Sequence, residues 1–381
     1  MTAATQLSNT TVHTNGSGTA PILSATADDN APPRPLRMGF AVKVLGQEGL
    51  KSNDARRWQS EPHLRVSLEY LHGIFEYLEK ANISMYRMSS DLAPYVTHPD
   101  MPQFHQQIEE CRAELEALGA RAKKQELRLS MHPSQFVVLN SPDPVLVEKS
   151  VRDLQAAAEL LDAMNLGPEA VLIIHVGGTY GDHMSGCDRW VQTYETLSEP
   201  IRRRLVLEND DIRYSAADVL DIHERTGVPL IFDYQHFWCN NPEGLELPIT
   251  VERFVRSWEG RPGSPRCKIH YSTPNTNFRE IKRKNAKTGK METSELPPIW
   301  TGHADFINPF EFATFMRMVA DAGDFDVMLE AKAKDLSLLR LRRDLPRYAP
   351  DVAVRFGLNP TPPDATADDI VEELEDAAAG E

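Results

Sequence analysis

The sequence predicts an α/β protein built as a single (β/α)8 TIM barrel, and three observations carry that prediction. Eight short β-like runs recur along the 381 residues, at 37–43, 83–91, 127–132, 170–175, 204–208, 229–236, 267–270 and 326–330. Most of the stretches between them show helical periodicity, and a β-then-α order favours a parallel sheet. Seven of the eight runs stop at a His, Asp or Glu. A barrel of this kind places its active site at the C-terminal strand ends, where those residue types would meet.

RMGFAVK opens the barrel after a leader, residues 1–36, of Ser, Thr, Ala, Asn, Gly and Pro with almost no large apolar groups. Such a segment cannot bury enough surface to offset chain entropy and is expected to be disordered. A helix over Val66–Lys80 precedes the second strand, ISMYRMSSD, and a one-sided apolar helix over Phe104–Leu118 precedes the third, LRLSMH. The turn-like NSPD at 140–143 sets Pro144 at the first position of a helix reaching Met164. AVLIIH, RLVLE, PLIFDYQH, CKIH and DVMLE then alternate with helices near Trp190–Ser198, Ser215–Thr226, Thr250–Trp258 and Pro309–Ala322. A last helix near Ala333–Arg343 completes eight units, and closure of the barrel is inferred from that count. The barrel domain is expected over 37–350, followed by an acidic, mobile tail over 351–381 with helical character only around Asp368–Ala378.

Composition excludes several classes. A hydrophobic fraction of 41% and a charged fraction of 25% are those of an ordinary soluble globular protein. No run approaches 18 apolar residues, so no membrane span is expected. The four cysteines (Cys111, Cys187, Cys239, Cys267) lack CxxC spacing and read as reduced thiols. With no apolar leader region and no base before Arg34, neither a secretory nor a transit peptide is expected, and the location predicted is cytoplasmic. The net charge is −15, but eight acids and no base follow Leu358, which leaves −7 for everything before. Against that acidic background FREIKRKNAKTGK (278–290) carries six bases and one acid. It follows the seventh strand, on the active-site face, where a basic loop suits phosphate contact.

The chemistry starts with histidine. His132, His175, His236 and His270 end strands or follow them closely, and His303 sits in TGHADF after the basic loop. One such histidine is more often a hydrogen-bonded structural residue than a ligand. Four strand-end placements among twelve histidines, joined by Glu208, Asp233 and Glu330, point instead to a polynuclear metal centre. Imidazole with carboxylate suits Zn2+ or Mn2+, and eight donors exceed what one tetrahedral ion needs. Two or three ions with a bridging carboxylate account for the set, and such clusters cleave phosphodiesters. DYQH (233–236) is read as one loop aiming Asp233 and His236 at a single ion. Lys268 lies two residues before His270 and so projects to the same side. Near several cations its ammonium must be neutral, paired with a carboxylate or modified, for example carbamylated.

MHPSQFVVLNSP (131–142), LVLENDD (205–211), IFDYQHF (231–237), KIHYSTP (268–274) and YRMSSDLAP (86–94) together resemble the UV damage endonuclease family in content, order and spacing. That family is similar in fold and metal set to endonuclease IV and, more remotely, to xylose isomerase-like barrels. The resemblance implies a DNA repair nuclease that nicks the damaged strand immediately 5′ of pyrimidine dimers, 6-4 photoproducts and abasic sites, leaving 3′-hydroxyl and 5′-phosphate ends. It implies manganese, with Zn2+ or Mg2+ as alternatives, on His132, His175, Glu208, Asp233, His236, His270, His303 and Glu330. Glu208, Glu330, Lys268 and His270 become the catalytic candidates. The family's Gln–aromatic lesion probe falls on Gln135 and Phe136; a planar ring can fill the gap left by displaced bases. Phe40 stands where the family usually has Tyr and is assigned, with Tyr271, Asn275, Lys282, Arg283 and Lys284, to the DNA contact set. Arg213 and Trp238, on strand-end loops, are further candidates for the DNA path, and Asn209, Asp210, Asp211, Asp91 and Asp305 for supporting the ligands.

The partner expected is damaged double-stranded DNA, bound by a monomer with no obligate protein partner. Two other readings compete. A sugar isomerase of the same barrel class would use the metals but predicts a closed polar pocket without an exposed stacking pair. A non-catalytic lesion-binding protein would leave the ligand set without purpose.

Overall fold

The computed structural model describes residues 34–284 and 289–359. The expectations for 1–33, for 285–288 inside the basic run and for 360–381 of the acidic tail lie outside these residues. All eight expected strands form: β1 (Met38–Ala41), β2 (Met85–Met88), β3 (Arg128–Met131), β4 (Val171–His175), β5 (Leu205–Glu208), β6 (Leu230–Asp233), β7 (Cys267–Tyr271) and, after two strands that sequence reading missed, β10 (Phe325–Leu329). They pair in parallel in the cyclic order β1-β10-β7-β6-β5-β4-β3-β2. The ring closes through β1 and β10, with Met38 opposite Val327 and Phe40 opposite Leu329. The missed pair, β8 (Arg279–Lys284) and β9 (Met291–Leu296), is a separate antiparallel ribbon.

The helices stop and start where local chemistry dictates. α1 (Leu64–Lys80) follows β1, while α2 (Gln107–Glu110) and α3 (Arg112–Lys124) divide the helix expected at Phe104–Leu118. α4 (Pro144–Ala163) begins as expected, with Pro144 in the first turn and the Asp143 carboxylate accepting from Val145 N. α5 (His183–Thr196) starts seven residues earlier than its apolar spacing suggested, because Asp182 accepts from Ser185 N and caps it. α6 (Glu199–Arg202) is a single turn. α7 (Ala216–Thr226) carries a full capping box between Ser215 and Asp218 and ends on Gly227 at φ 71°. α8 (Tyr234–Cys239) and α9 (Leu247–Arg256) follow β6. α10 (Pro309–Met318), capped by Asn308, precedes β10. α11 (Lys334–Tyr348) and α12 (Pro350–Arg355) follow it. Val352 and Ala353 of α12 are buried in the main core, so the boundary expected after residue 350 falls inside packed structure. Among the described residues no helix is long and apolar enough to cross a membrane.

Strand alternation divides the core. Residues of one parity meet the helices; the other parity fills the barrel, where Val171, Ile173, Val206 and Ile231 also join the large apolar cluster. The interior holds a polar network as well. Arg128 Nη1 donates to Asp326 Oδ2 at 2.8 Å, and Asp326 also accepts from Arg37 N at 2.9 Å and Arg266 Nη1 at 3.2 Å. Lys268 Nζ donates to Ser130 Oγ at 2.9 Å, and Ala41, Met85 and Met328 form a small apolar cluster of their own. Burial alone would raise the Asp326 carboxyl, but Arg128 and the Arg37 amide outweigh it and hold it below the usual carboxylate range.

Candidate active site

At the C-terminal ends of the strands, β3 to β7 and β10 deliver His132, His175, Glu208, Asp233, His270 and Glu330 to one buried nest. Glu208 is its hub. Its Oε2 lies 3.0 Å from His132 Nε2 and 3.6 Å from His175 Nε2, while its Oε1 lies 2.7 Å from His270 Nδ1 and 3.8 Å from His236 Nδ1. Three overlapping triads have donor atoms within 4.8 Å of one another: His132–His175–Glu208, Glu208–Asp233–His236 and Asp233–His270–Glu330. Glu208 and Asp233 each belong to two of them, the arrangement that bridging carboxylates between neighbouring ions require.

The donor set fits metal. His270 Nε2, Asp233 Oδ2 and His175 Nδ1 are buried without a hydrogen-bond partner, which is costly for polar atoms unless something occupies the nest. The fields within the nest are those of a ligand cluster. Burial raises Glu208, yet His270 and His175 hold its carboxyl well below the usual range. Burial likewise opposes a charged His236, but Asp233, Glu208 and Glu330 outweigh it and raise the imidazole to about 9. Burial pushes Asp233 up despite His236, and pushes the His175 imidazole down despite Glu208.

His303 is the one expected ligand outside the triads. Its Nδ1 is 2.6 Å from the Glu330 carbonyl oxygen, and its ring centroid is 6.4 Å from that of His236, so it sits on the rim with the other ring nitrogen uncommitted to either. DYQH is a helix start rather than a loop: Asp233 caps α8 by accepting from His236 N at 2.7 Å, which fixes the spacing of both ligands. Asn209 supports the pair, exchanging hydrogen bonds with Asp233 N (2.9 Å) and Asp233 O (3.2 Å), while its carbonyl lies 3.0 Å from His236 Nδ1. Asp210 instead shapes its own loop by accepting from Ile212 N at 2.9 Å, and Asp91, Asp305 and Asp211 do not enter the nest.

Lys268 is fully buried beneath the nest. Burial, then Arg128 and Arg87, pushes its amine far below the usual lysine range, and its hydrogen-bond partner is Ser130 rather than a carboxylate. Asp326, the carboxylate of the layer below, is engaged by Arg128.

The rim around the nest is apolar and exposed. Phe136 is 73% exposed at the tip of the β3 loop beside exposed Gln135, where Val137 N donates to Ser134 O to close the turn. Tyr180, Ile212 and Phe278 are exposed after β4, β5 and β7, Trp238 is exposed on α8, and Trp300 is exposed after β9.

A family profile described as UV-endonuclease UvdE matches residues 57–355. The chain belongs to that family. It is 31% identical over 318 residues to the UV DNA damage endonuclease of Bacillus velezensis, covering 83% of this chain and 90% of the relative. It is 33% identical over 265 residues to the UV DNA damage endonuclease of Bacillus pumilus, covering 69% and 75%. The crystal structure of SacUVDE superposes with a TM-score of 0.66 at 30% identity, over 81% of this chain and 98% of that one.

Two residues assigned to DNA contact, Tyr271 as a strand-end loop residue and Phe40 by likeness to the UvdE family, are misplaced. Tyr271 follows His270 by one, so it faces the helices: it stacks on Tyr234 at 4.6 Å and meets Phe312 at 4.9 Å, with no exposed surface. Phe40 is equally buried, edge-on to Tyr86 at 5.4 Å. Neither ring reaches a duplex; both are core. Asn275 remains on a half-buried mouth loop, its amide donating to Gly302 O at 2.7 Å. The basic triplet divides: Lys282 and Lys284 share one face of the ribbon opposite Thr293 and Met291, while Arg283 takes the other, opposite Glu292. Sequence reading missed Gln235, which is buried and ties the mouth together by donating to Trp300 O at 2.7 Å and accepting from Ser272 Oγ. It also missed Arg87, ion-paired with Glu330. Neither is a metal-ligand type, so no strand-end pattern could have flagged them.

Proposed function

We propose that this member of the UV-endonuclease family is a metal-dependent nuclease that nicks damaged double-stranded DNA immediately 5′ of pyrimidine dimers, 6-4 photoproducts and abasic sites, leaving 3′-hydroxyl and 5′-phosphate ends. The observation that carries the reading is that the family match spans both the Glu208-centred nest and the exposed Gln135–Phe136 tip. Two or three divalent ions, with manganese favoured and zinc or magnesium as alternatives, would be held by the three triads and His303. When bound they supply Lewis acidity and lower the pKa of water.

The chain's own residues do the rest. Glu208 orients four imidazoles through its two oxygens, and Arg87 holds Glu330 against the β10 end of the nest. Burial, Arg128 and Arg87 disfavour a charged Lys268 amine beneath the nest. Phe136 stacks into the gap at the lesion while Gln135 offers donor and acceptor to the orphaned bases. A damaged pair is already poorly stacked and opens at lower cost, which supplies selectivity. Lys282 and Lys284 contact the backbone to one side of the cut. An open rim of exposed rings disfavours the sugar-isomerase alternative, which needs an enclosed polar pocket. The enzyme is read as a cytoplasmic monomer. The test is a nicking assay on end-labelled duplex carrying one pyrimidine dimer, with Mn2+ or EDTA, beside undamaged DNA. A Mn2+-dependent cut directly 5′ of the dimer is expected; no cut on dimer or abasic DNA by metal-loaded enzyme would refute the reading.

A further inference from the structure

Two cations, Lys43 and Lys334, lie at the mouth near Arg87, between β1, β2 and β10. Val42 N donates to Arg87 O at 2.9 Å, which ties the segment carrying exposed Lys43 to β2. Asp335 accepts from Leu45 N at 2.7 Å and Gly46 N at 2.8 Å, which sets Lys334 against the same loop. Arg87 is ion-paired with Glu330. Lys334 is half-buried, and among the described residues its ammonium has no hydrogen bond or ion pair. Burial, then Arg87, lowers it, Glu330 raises it, and Lys43 lowers it again. The backbone here is also unusual: Val42 at φ 66° and Lys334 at φ 50° lie in the left-handed region that β-branched and long side chains avoid, a form of strain that gathers at ligand sites.

A half-buried ammonium beside two like charges is unfavourable alone, because Glu330, the carboxylate that acts on it, is already held by a guanidinium and is a metal-ligand candidate, and the Asp335 carboxylate is taken up by Leu45 N and Gly46 N. An incoming anion reverses that balance. We propose that Lys334, flanked by Arg87 and Lys43, receives a non-bridging phosphate oxygen of the DNA strand crossing the mouth next to Glu330. This rests on the nuclease reading above. The site is sequence-independent: it positions the backbone, while Phe136, on the β3 loop, meets the lesion. Arg87 is shared between Glu330 and the phosphate, so Lys334 is the member whose removal leaves the nest intact.

The experiment compares wild type, Lys334→Met and Lys334→Arg, metal-loaded, by anisotropy on an undamaged duplex across a salt series and by nicking of the dimer duplex. Lys334→Met is expected to weaken binding about tenfold near 0.1 M salt and to reduce the slope of log K against log salt by about one unit. For nicking, KM rises while kcat holds. Lys334→Arg retains the wild-type slope. Free of DNA, Lys334→Met melts at or above the wild-type temperature, since it relieves like-charge crowding. A wild-type slope in Lys334→Met, or an equal loss in Lys334→Arg, overturns the assignment. Failure of the nuclease reading is distinguishable, because metal-loaded wild type would then leave the dimer duplex uncut, whereas failure of the phosphate site leaves wild-type nicking in place and shows as an unchanged salt slope in Lys334→Met.

Discussion

Phe136→Ala separates lesion recognition from everything else the chain does. At 73% exposure the ring contributes little to folding, so truncation is expected to change stability by no more than about 0.5 kcal/mol. Covering a phenylalanine side chain completely is worth about 1.5–3 kcal/mol. Scaled to the surface Phe136 has left to bury, that is roughly 1–2 kcal/mol, consistent with about 1–3 kcal/mol for a base stacked on an aromatic. Nicking of the dimer duplex should therefore lose about 5- to 30-fold in kcat/KM. Affinity for undamaged duplex and the melting temperature should hold, and Phe136→Tyr should retain most activity. Unchanged kcat/KM in Phe136→Ala would refute the stacking role. A large drop in melting temperature would refute it differently, by placing the ring in a packed environment.

Glu208→Gln should fold but lose manganese, measured by elemental analysis after gel filtration, and nicking should fall by more than about a hundredfold, beyond the usual effect of residues that merely support ligands. In wild type, Mn2+ at a hundred times its Kd should add about 2.7 kcal/mol to the stability of the EDTA-stripped protein. Asp326 has a depressed folded pKa, so its contribution is present above the ordinary value of about 3.9 and is lost as pH falls through the lower folded value. Urea unfolding should show Asp326→Asn costing about 3–5 kcal/mol at pH 7, because Arg128 is left buried without its partner, and a smaller deficit below about pH 3. Replacing Lys282 and Lys284 together with Gln should reduce the salt slope of duplex binding by about two units, whereas Arg283→Gln, on the opposite ribbon face, should change it less.

What the sequence could disclose followed from periodicity and residue type. Each barrel strand was visible because an apolar run met a turn signal, and the seven triad residues were visible because imidazole and carboxylate at such ends are chemically conspicuous. The β8–β9 ribbon was not, because both of its faces are polar: Lys282 and Thr293 on one side, Arg283 and Glu292 on the other, leave no apolar alternation to read. Tyr271 and Phe40 were misassigned for a different reason. A one-residue offset turns a side chain from the barrel mouth to the helix layer, and neither the strand-end position used for Tyr271 nor the family likeness used for Phe40 supplies that parity. Lys334 and Arg87 escaped because their meaning lies in which neighbours lack a partner, a property of packing alone.

The seam of the barrel has a consequence for how the enzyme comes into being. Arg37 N donates to Asp326 Oδ1 across 289 positions, and β1 has no partner on that side until β10 arrives. At about 5–20 residues per second, translation separates those two strands by roughly 15–60 s. Glu330, the last ligand of the triads, emerges with the strand that completes the ring. A nascent chain therefore carries most of the donor atoms with no enclosure to organise them. A chain that ends before the seam lacks both the strand that closes the ring and the last of the candidate ligands.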